Sequence, residues 1–543
     1  MLPLFAMVAV AVISRSPLSA GASFNATPLQ TNGMHRVIHV DVQDGSASDR
    51  NPGTASAPLQ TIGRALQIAF AQNANALPVT IFIHPGTYRE TLSIAAGGAD
   101  VALTLQATEN GKAVVSGSDV WKGWRPWGDR GIFVHPWLFS WGLAPVPGGW
   151  PKIHDVLRRR EMVFVNGLLL SQVLGPENLA PGAFYVDDRA HLIYIWPREA
   201  VDPGTAMIEV AVRDPVVLVS GRTNLTIRGL VFQHAATAPD ASAVTVNNST
   251  NVLIEDSTFQ WNNWGGLAIN TSVNATVKRS VGNHNGARGM STWKDKNVLF
   301  EDNETSFNNW RGSWGDFYSW ATAGIKNMFV HKGVFRRHRS IGNHTWGFWL
   351  DTDNQDVTVE DGVWCNNNAG AFVEASQGPI TLSGSVICLN NSTSLGTSIS
   401  QNVTLRNNII YNTAPYPLLE INDLSSGVVR DWETGQTMTL RTQRWTLCGN
   451  VFISAGRSEH LFSVPDWNFF LSTLRSARND YWNPYTRGAF WLRGSPGSGQ
   501  TFDLPGWQRL VGQDADSIFA DPRLTDPTRG DFQPLPDSPW HRC

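Results

Sequence analysis

The sequence predicts an all-β protein built as a parallel β-helix, a solenoid whose coils stack strand upon strand. Three observations carry that expectation. Similar strands begin at Asn224-Leu-Thr-Ile, Asn251-Val-Leu-Ile, Asn274-Ala-Thr-Val and Asn297-Val-Leu-Phe, and again at Asp356-Val-Thr-Val, Pro379-Ile-Thr-Leu and Asn402-Val-Thr-Leu. The steps from 251 to 274 to 297, and from 356 to 379 to 402, are all 23 residues. A short period with β-branched strands, Asn-rich turns and no helical spacing marks one coil per unit. Finally, only 16% of the residues are charged while Gly alone numbers 49, which suits a turn-rich β protein and excludes disorder.

Taken in order, the chain divides into five parts. Leu2 to Ile13 is apolar and leads to a small-residue site at Ala20-Gly21-Ala22. Residues 1–22 therefore read as a secretory signal, too short to span a membrane, although no positive charge precedes the apolar run. The protein is expected to be secreted or periplasmic. Residues 35–120 supply the first coils and a cap: Ile62, Ala65, Leu66, Ala69 and Phe70 repeat at helical spacing behind Thr61, giving one helix to cover the open sheet edge. Residues 121–214 break the rhythm and are rich in Trp and Pro. Phe184-Tyr-Val186 and Leu192-Ile-Tyr-Ile-Trp196 flank Asp187-Asp188 as a hairpin, so this part reads as a small inserted β domain. Residues 215–450 form the main solenoid, and 451–543 the C-terminal coils and closing loops.

A net charge of -3 gives no basic surface for nucleic acid, and no later stretch is apolar for long enough to enter a membrane. Oligomeric state leaves no mark in the sequence. None of the four cysteines lies in a CxxC pattern. Cys365 and Cys388 are 23 residues apart and so stack, either as a disulfide or as two internal thiols.

The same period places carboxylates. In Phe348-Trp-Leu-Asp351, Phe348 and Leu350 face the core while Trp349, Asp351 and Asp353 point outward. One coil later, Phe372 and Glu374 point outward, and Glu374 lies 23 residues beyond Asp351. Adjacent coils are separated by about 4.8 Å. The two carboxylates would therefore stand close to the ~5–5.5 Å of the pair in retaining glycosidases. Like charges this near raise the pKa of one member and make it a proton donor. Counting back along the column gives Met328, Trp293, Asn270 and Asn247, with about a dozen inserted residues, among them Trp310, Trp314, Asp316 and Trp320, before the Asp351 coil. Insertions in solenoids form loops on the binding face. Trp293, Trp314 and Trp349 could stack on sugar rings, and Lys326, one coil before Trp349, could touch substrate or pair with Asp351. The basic run His331, Lys332, Arg336, Arg337, His338 and Arg339 could face an acidic sugar.

Over Gly347–Pro379 the chain resembles glycoside hydrolase family 120, the β-xylosidases on a right-handed parallel β-helix with an inserted β-sandwich. Gly347-Phe-Trp-Leu-Asp351 matches the family's nucleophile strand, and Phe372-Val-Glu374 followed by Gly378-Pro379 its acid/base strand. Ala323-Gly-Ile-Lys326 is similar to the family's segment one coil earlier. The chain departs from the family at Thr352-Asp353-Asn354, at Gln377 and at Met328. The resemblance implies a pectate-lyase-like solenoid, Asp351 as nucleophile and Glu374 as acid/base on a xyloside. Asp316, Lys326, Trp349, Asp353, Trp293, Trp314 and Gln377 are then the candidate substrate contacts. No cofactor is expected, and nothing in the sequence indicates calcium. Two other readings fit the same fold. A polysaccharide lyase acting on a uronate polymer would use the basic run, and a non-catalytic carbohydrate-binding solenoid would need only the aromatic column.

Overall fold

The computed structural model describes residues 35–71, 77–95, 101–422, 424–456, 460–494 and 499–543. The signal expected at residues 1–22 lies outside them. Two sheets of 13 strands each run the length of the molecule, and a third face is split into sheets of five and seven strands. Pairing along these faces is parallel and in register, coil upon coil, Leu225 on Val252 and Val252 on Ala275, until Gly499–Phe502 closes one sheet antiparallel to Phe490–Arg493. The chain is a parallel β-helix, as the 23-residue step requires. No helix of the described residues is long and apolar enough to cross a membrane.

Each coil buries its β-branched and aliphatic side chains inward, and these merge into one core from Ile38 to Trp507. The strand-heading Asn224, Asn251, Asn274, Asn297 and Asn402 all have φ between 55° and 57°, the left-handed region that Asn enters at least cost. The first four bond to one another along the outside, Asn274 Nδ2 donating to Asn251 Oδ1 at 3.0 Å. A second ladder runs inside. Asn262, Asn285, Asn308, Asn343 and Asn367 are buried, and each donates its side-chain N–H to the next at 2.8–3.1 Å. Asn308 Oδ1 accepts from both the backbone and side-chain N–H of Asn285, and its Nδ2 donates to Gly282 O. Asn308→Ala strands these groups away from water and is expected to cost about 3 kcal/mol. An unchanged midpoint of chemical unfolding would show the ladder to be dispensable.

The helix Ile62–Ala71 packs its buried Ile62, Ala65, Leu66, Ile68 and Ala69 beside the first strand of the solenoid. Phe70 is only half-buried, and Ile68 takes the place expected for it. The Glu90 carboxylate accepts from the free N–H groups of Ile62 and Gly63 at 2.9 and 2.8 Å, satisfying the helix N-terminus.

Between the strands Ser118–Val120 and Ile208–Ala211 the chain forms four- and five-stranded sheets around a core of their own, with Phe184, Ile193, Ile195, Val163 and Val210 at its centre. The Ala183–Asp187 and Leu192–Trp196 strands pair antiparallel, and Asp187 Oδ1 accepts from the Arg189 and Ala190 N–H groups in their turn. Arg311, fully buried in the segment inserted before the Asp351 coil, donates to Val156 O, Glu161 O and Gln172 Oε1. That side chain joins this part to the solenoid beside the site.

Both possible fates of Cys365 and Cys388 were open; they form a disulfide with Cα atoms 4.5 Å apart. Cys448 pairs with Cys543 across 95 residues, a link the period does not announce. Beyond Asn412 a long coil carries an antiparallel hairpin, Gly427–Arg430 with Thr437–Leu440, which folds back over Ala375 and Ile399.

Candidate active site

Asp351 and Glu374 end two consecutive strands, Trp346–Asp351 and Ala369–Glu374, and are direct register partners. Met328 precedes them in the column and Ser398 follows. The second residue of each strand in this region is Gly: a Cβ on Gly324 would lie 2.6 Å from Gly347 O, and one on Gly347 2.9 Å from Gly370 O. Only glycine lets the backbones of successive coils approach so closely there.

Lys326 pairs with Trp349 in the register, and its Nζ reaches Asp351 Oδ2 at 2.9 Å. The ammonium also lies 3.5 Å from the centre of the Trp349 ring and donates to Trp320 O in the inserted segment. Lys326 is 4% exposed and Asp351 9%, so this is a desolvated ion pair whose partners each depend on the other. Burial pulls the Lys326 pKa down while Asp351 and Glu374 push it up; the net shift is downward. Thr352 Oγ1 donates to the other Asp351 oxygen at 2.7 Å.

Glu374 has no such cation of its own. Burial, and then the charge of Asp351, raise its pKa to about 7, with Lys326 pulling the other way. The Trp349 indole N–H lies on the same side without completing a hydrogen bond. Two neighbouring carboxyl groups are thereby separated in role: one held beside a cation, the other poised to keep its proton near neutrality.

The walls are aromatic. Trp346 and Phe372 stack with centroids 4.9 Å apart, and Trp349 meets Phe372 edge-on at 5.4 Å. Gly396, next after Phe372, leaves room for both rings. Ser398 Oγ is buried beside Glu374 with no hydrogen bond.

The remaining candidates lie elsewhere. Trp293 is on the same face, two coils before Asp351, 39% exposed and edge-on to Phe329. Trp314 packs on Trp310 and on Ile153, Leu157 and Trp264 at the junction with the inserted domain. Asp316 is exposed, and its carboxylate makes no hydrogen bond or ion pair among the described residues. Asp353, placed outside by alternation, is instead fully buried, because Thr352 and Asp353 both have positive φ and turn the chain. Its carboxylate accepts from the Trp432 backbone N–H at 2.8 Å and from Gln377, which spends that amide too. The basic run is also not at the site. Arg336 and Arg337 pair with Glu301 and Asp302 on another sheet, and His338 is buried against Thr305. Trp346, Phe372, Thr352 and Ser398 complete the site beyond the expected contacts: Phe372 follows Trp349 by the 23-residue step, whereas Ser398 stands 24 residues after Glu374, one off the period.

Residues 242–410 match the family described as right handed beta helix region. No curated protein matches the chain. Among solved structures, XylC in complex with xylose is 17% identical, with 90% of this chain and 87% of that one covered at a TM-score of 0.69. The A-module of the Azotobacter vinelandii mannuronan C-5 epimerase AlgE6 is 16% identical, with 89% and 100% covered at 0.51. The chain is thus a right-handed parallel β-helix protein that shares its fold with XylC over most of its length.

Proposed function

We propose that the protein is a retaining glycoside hydrolase, with Asp351 as nucleophile and Glu374 as acid/base, acting on a small or chain-end glycoside of the xyloside type. The observation that carries this reading is the register pairing of Asp351 with Glu374, with the Lys326 ammonium on Asp351 alone. Carboxyl groups on adjacent coils stand about 4.8 Å apart, too close to admit the water that inversion needs. Asp351, ion-paired with Lys326, attacks the anomeric carbon as Glu374 gives its proton to the leaving oxygen. Glu374, now a carboxylate, takes a proton from the water that opens the glycosyl-enzyme. The Trp349, Trp346 and Phe372 rings offer apolar faces to the sugar. The resemblance to XylC, solved with xylose, supports the choice of sugar. The stacked pair argues against a lyase, and the pairing of Arg336 and Arg337 with Glu301 and Asp302 weakens that reading's support.

The test is release of nitrophenol from aryl xylosides, arabinosides, fucosides and galactosides, with the anomer of the first-formed sugar followed by NMR. Turnover of one glycoside with retention is expected. Inversion, or no turnover of any glycoside alongside an unsaturated product from uronate polymers, sinks the proposal.

Lys326→Met removes the charge with little change in volume. Since the ammonium holds the Glu374 pKa down, the alkaline limb of kcat/KM is expected to move to higher pH, with kcat reduced. A limb that stays in place would show that Lys326 does not act on the pair.

A further inference from the structure

Beneath the Gly427–Leu440 hairpin lies a second cluster of ligand-type side chains, used by no step above. One ligand atom from each of His331, Asp353 and Asp431 lies within 4.8 Å of the other two. His331 is 3% exposed, and its Nδ1 is 3.1 Å from Glu433 Oε2. That carboxylate accepts only if Nδ1 carries a proton, which leaves Nε2 to hold either a lone pair open to a cation or a second proton. Nε2 makes no hydrogen bond and faces Asp353 Oδ2 at 3.6 Å. A lone pair aimed at buried carboxylates is repulsive unless something positive sits between them.

The surrounding bonds hold the ligands in that attitude. Asp431 Oδ1 accepts from the backbone N–H of Glu433 and Thr434 at 2.9 and 2.7 Å, which turns Oδ2 toward the cluster. Gln377 donates to that Oδ2 at 3.3 Å and to Asp353 Oδ1. Trp432 N–H fixes Asp353 Oδ2 at 2.8 Å. A carboxylate behind an imidazole, with the far nitrogen free, is the arrangement that orients histidine toward a metal.

We propose that His331, Asp353 and Asp431 bind one divalent transition-metal cation of the zinc or manganese type. One imidazole and two carboxylates suit such an ion, whereas calcium takes six to eight oxygens that the cluster does not offer. The cation fastens the hairpin to the turn that follows Asp351, through Asp431 on one and Asp353 on the other. Its part is to position that turn; it takes no part in bond cleavage.

The rival occupant is a proton on His331, which predicts no metal uptake. The test is calorimetric titration of chelator-treated, refolded full-length protein with Zn²⁺ and with Mn²⁺, together with thermal melts. Saturable uptake of one equivalent of either ion, with a rise in Tm, is expected. Asp431→Asn is expected to weaken it by about tenfold or more. Glu433→Gln, at the more exposed residue, serves if that variant does not fold. Wild-type protein that takes up neither ion, or variants that bind as wild type does, would overturn the proposal. No readout requires turnover of a glycoside, so the site stands or falls apart from the hydrolase assignment.

Discussion

Asp351→Asn is expected to lower kcat by about 10⁴-fold or more on every glycoside that the wild type turns over, the size seen when a covalent nucleophile is removed. The amide keeps the shape of the carboxylate but offers no charge to the anomeric carbon, and it leaves Lys326 buried without its partner. Two consequences separate this from mere unfolding. The wild type should accumulate a covalent glycosyl adduct on the peptide containing Asp351 when treated with a 2-fluoro glycoside, and the variant should not. Circular dichroism of the variant should show an intact solenoid, with the thermal midpoint lowered by the loss of the buried ion pair. An Asp351→Asn protein of normal activity would leave the column as ordinary surface, and binding of sugar without turnover would favour a carbohydrate-binding role.

The second large effect concerns pH. On the proposed mechanism Glu374 must be protonated to act on the leaving oxygen, and its pKa is raised to about 7. Below that pH the acid is in place; above it the proton is lost. The rate on poor leaving groups is therefore expected to fall as pH rises through about 7. Glu374→Gln should lose that limb, with kcat/KM reduced by about 10²- to 10⁴-fold on alkyl glycosides and far less on dinitrophenyl glycosides, which need no proton. A limb that persists in the glutamine variant would assign the acid to another group.

How much of this could be read from residues alone follows from where the backbone is extended. The 23-residue step placed Asp351 against Glu374 and Lys326 against Trp349, because in-register coils convert sequence spacing into height. Alternation failed at Asp353 for a local reason: two successive residues with φ of 51° and 55° end the strand and reverse the side-chain direction. Left-handed residues at Lys332 and Arg337 likewise scatter the basic run over different faces. The inner Asn ladder was legible in principle, since Asn262, Asn285 and Asn308 share the period, but Asn in turns reads first as turn chemistry. The hairpin contacts of Asp353 and the Cys448–Cys543 bond join residues 79 and 95 apart, off any multiple of the coil, and only the folded chain brings them together.

The register pairing of the two carboxylates also sets what this scaffold can become. In a cleft built from loops, the gap between two acids can be tuned continuously. Here it is quantised: one coil gives about 4.8 Å and two coils about twice that, with no setting between. The first value belongs to retention and the second falls at the upper edge of the ~6.5–9.5 Å used for inversion. On the proposed mechanism, no shift of a side chain along its own strand converts one outcome to the other. A change of stereochemistry would mean moving a carboxylate by a whole coil, from Asp351 to the position of Met328.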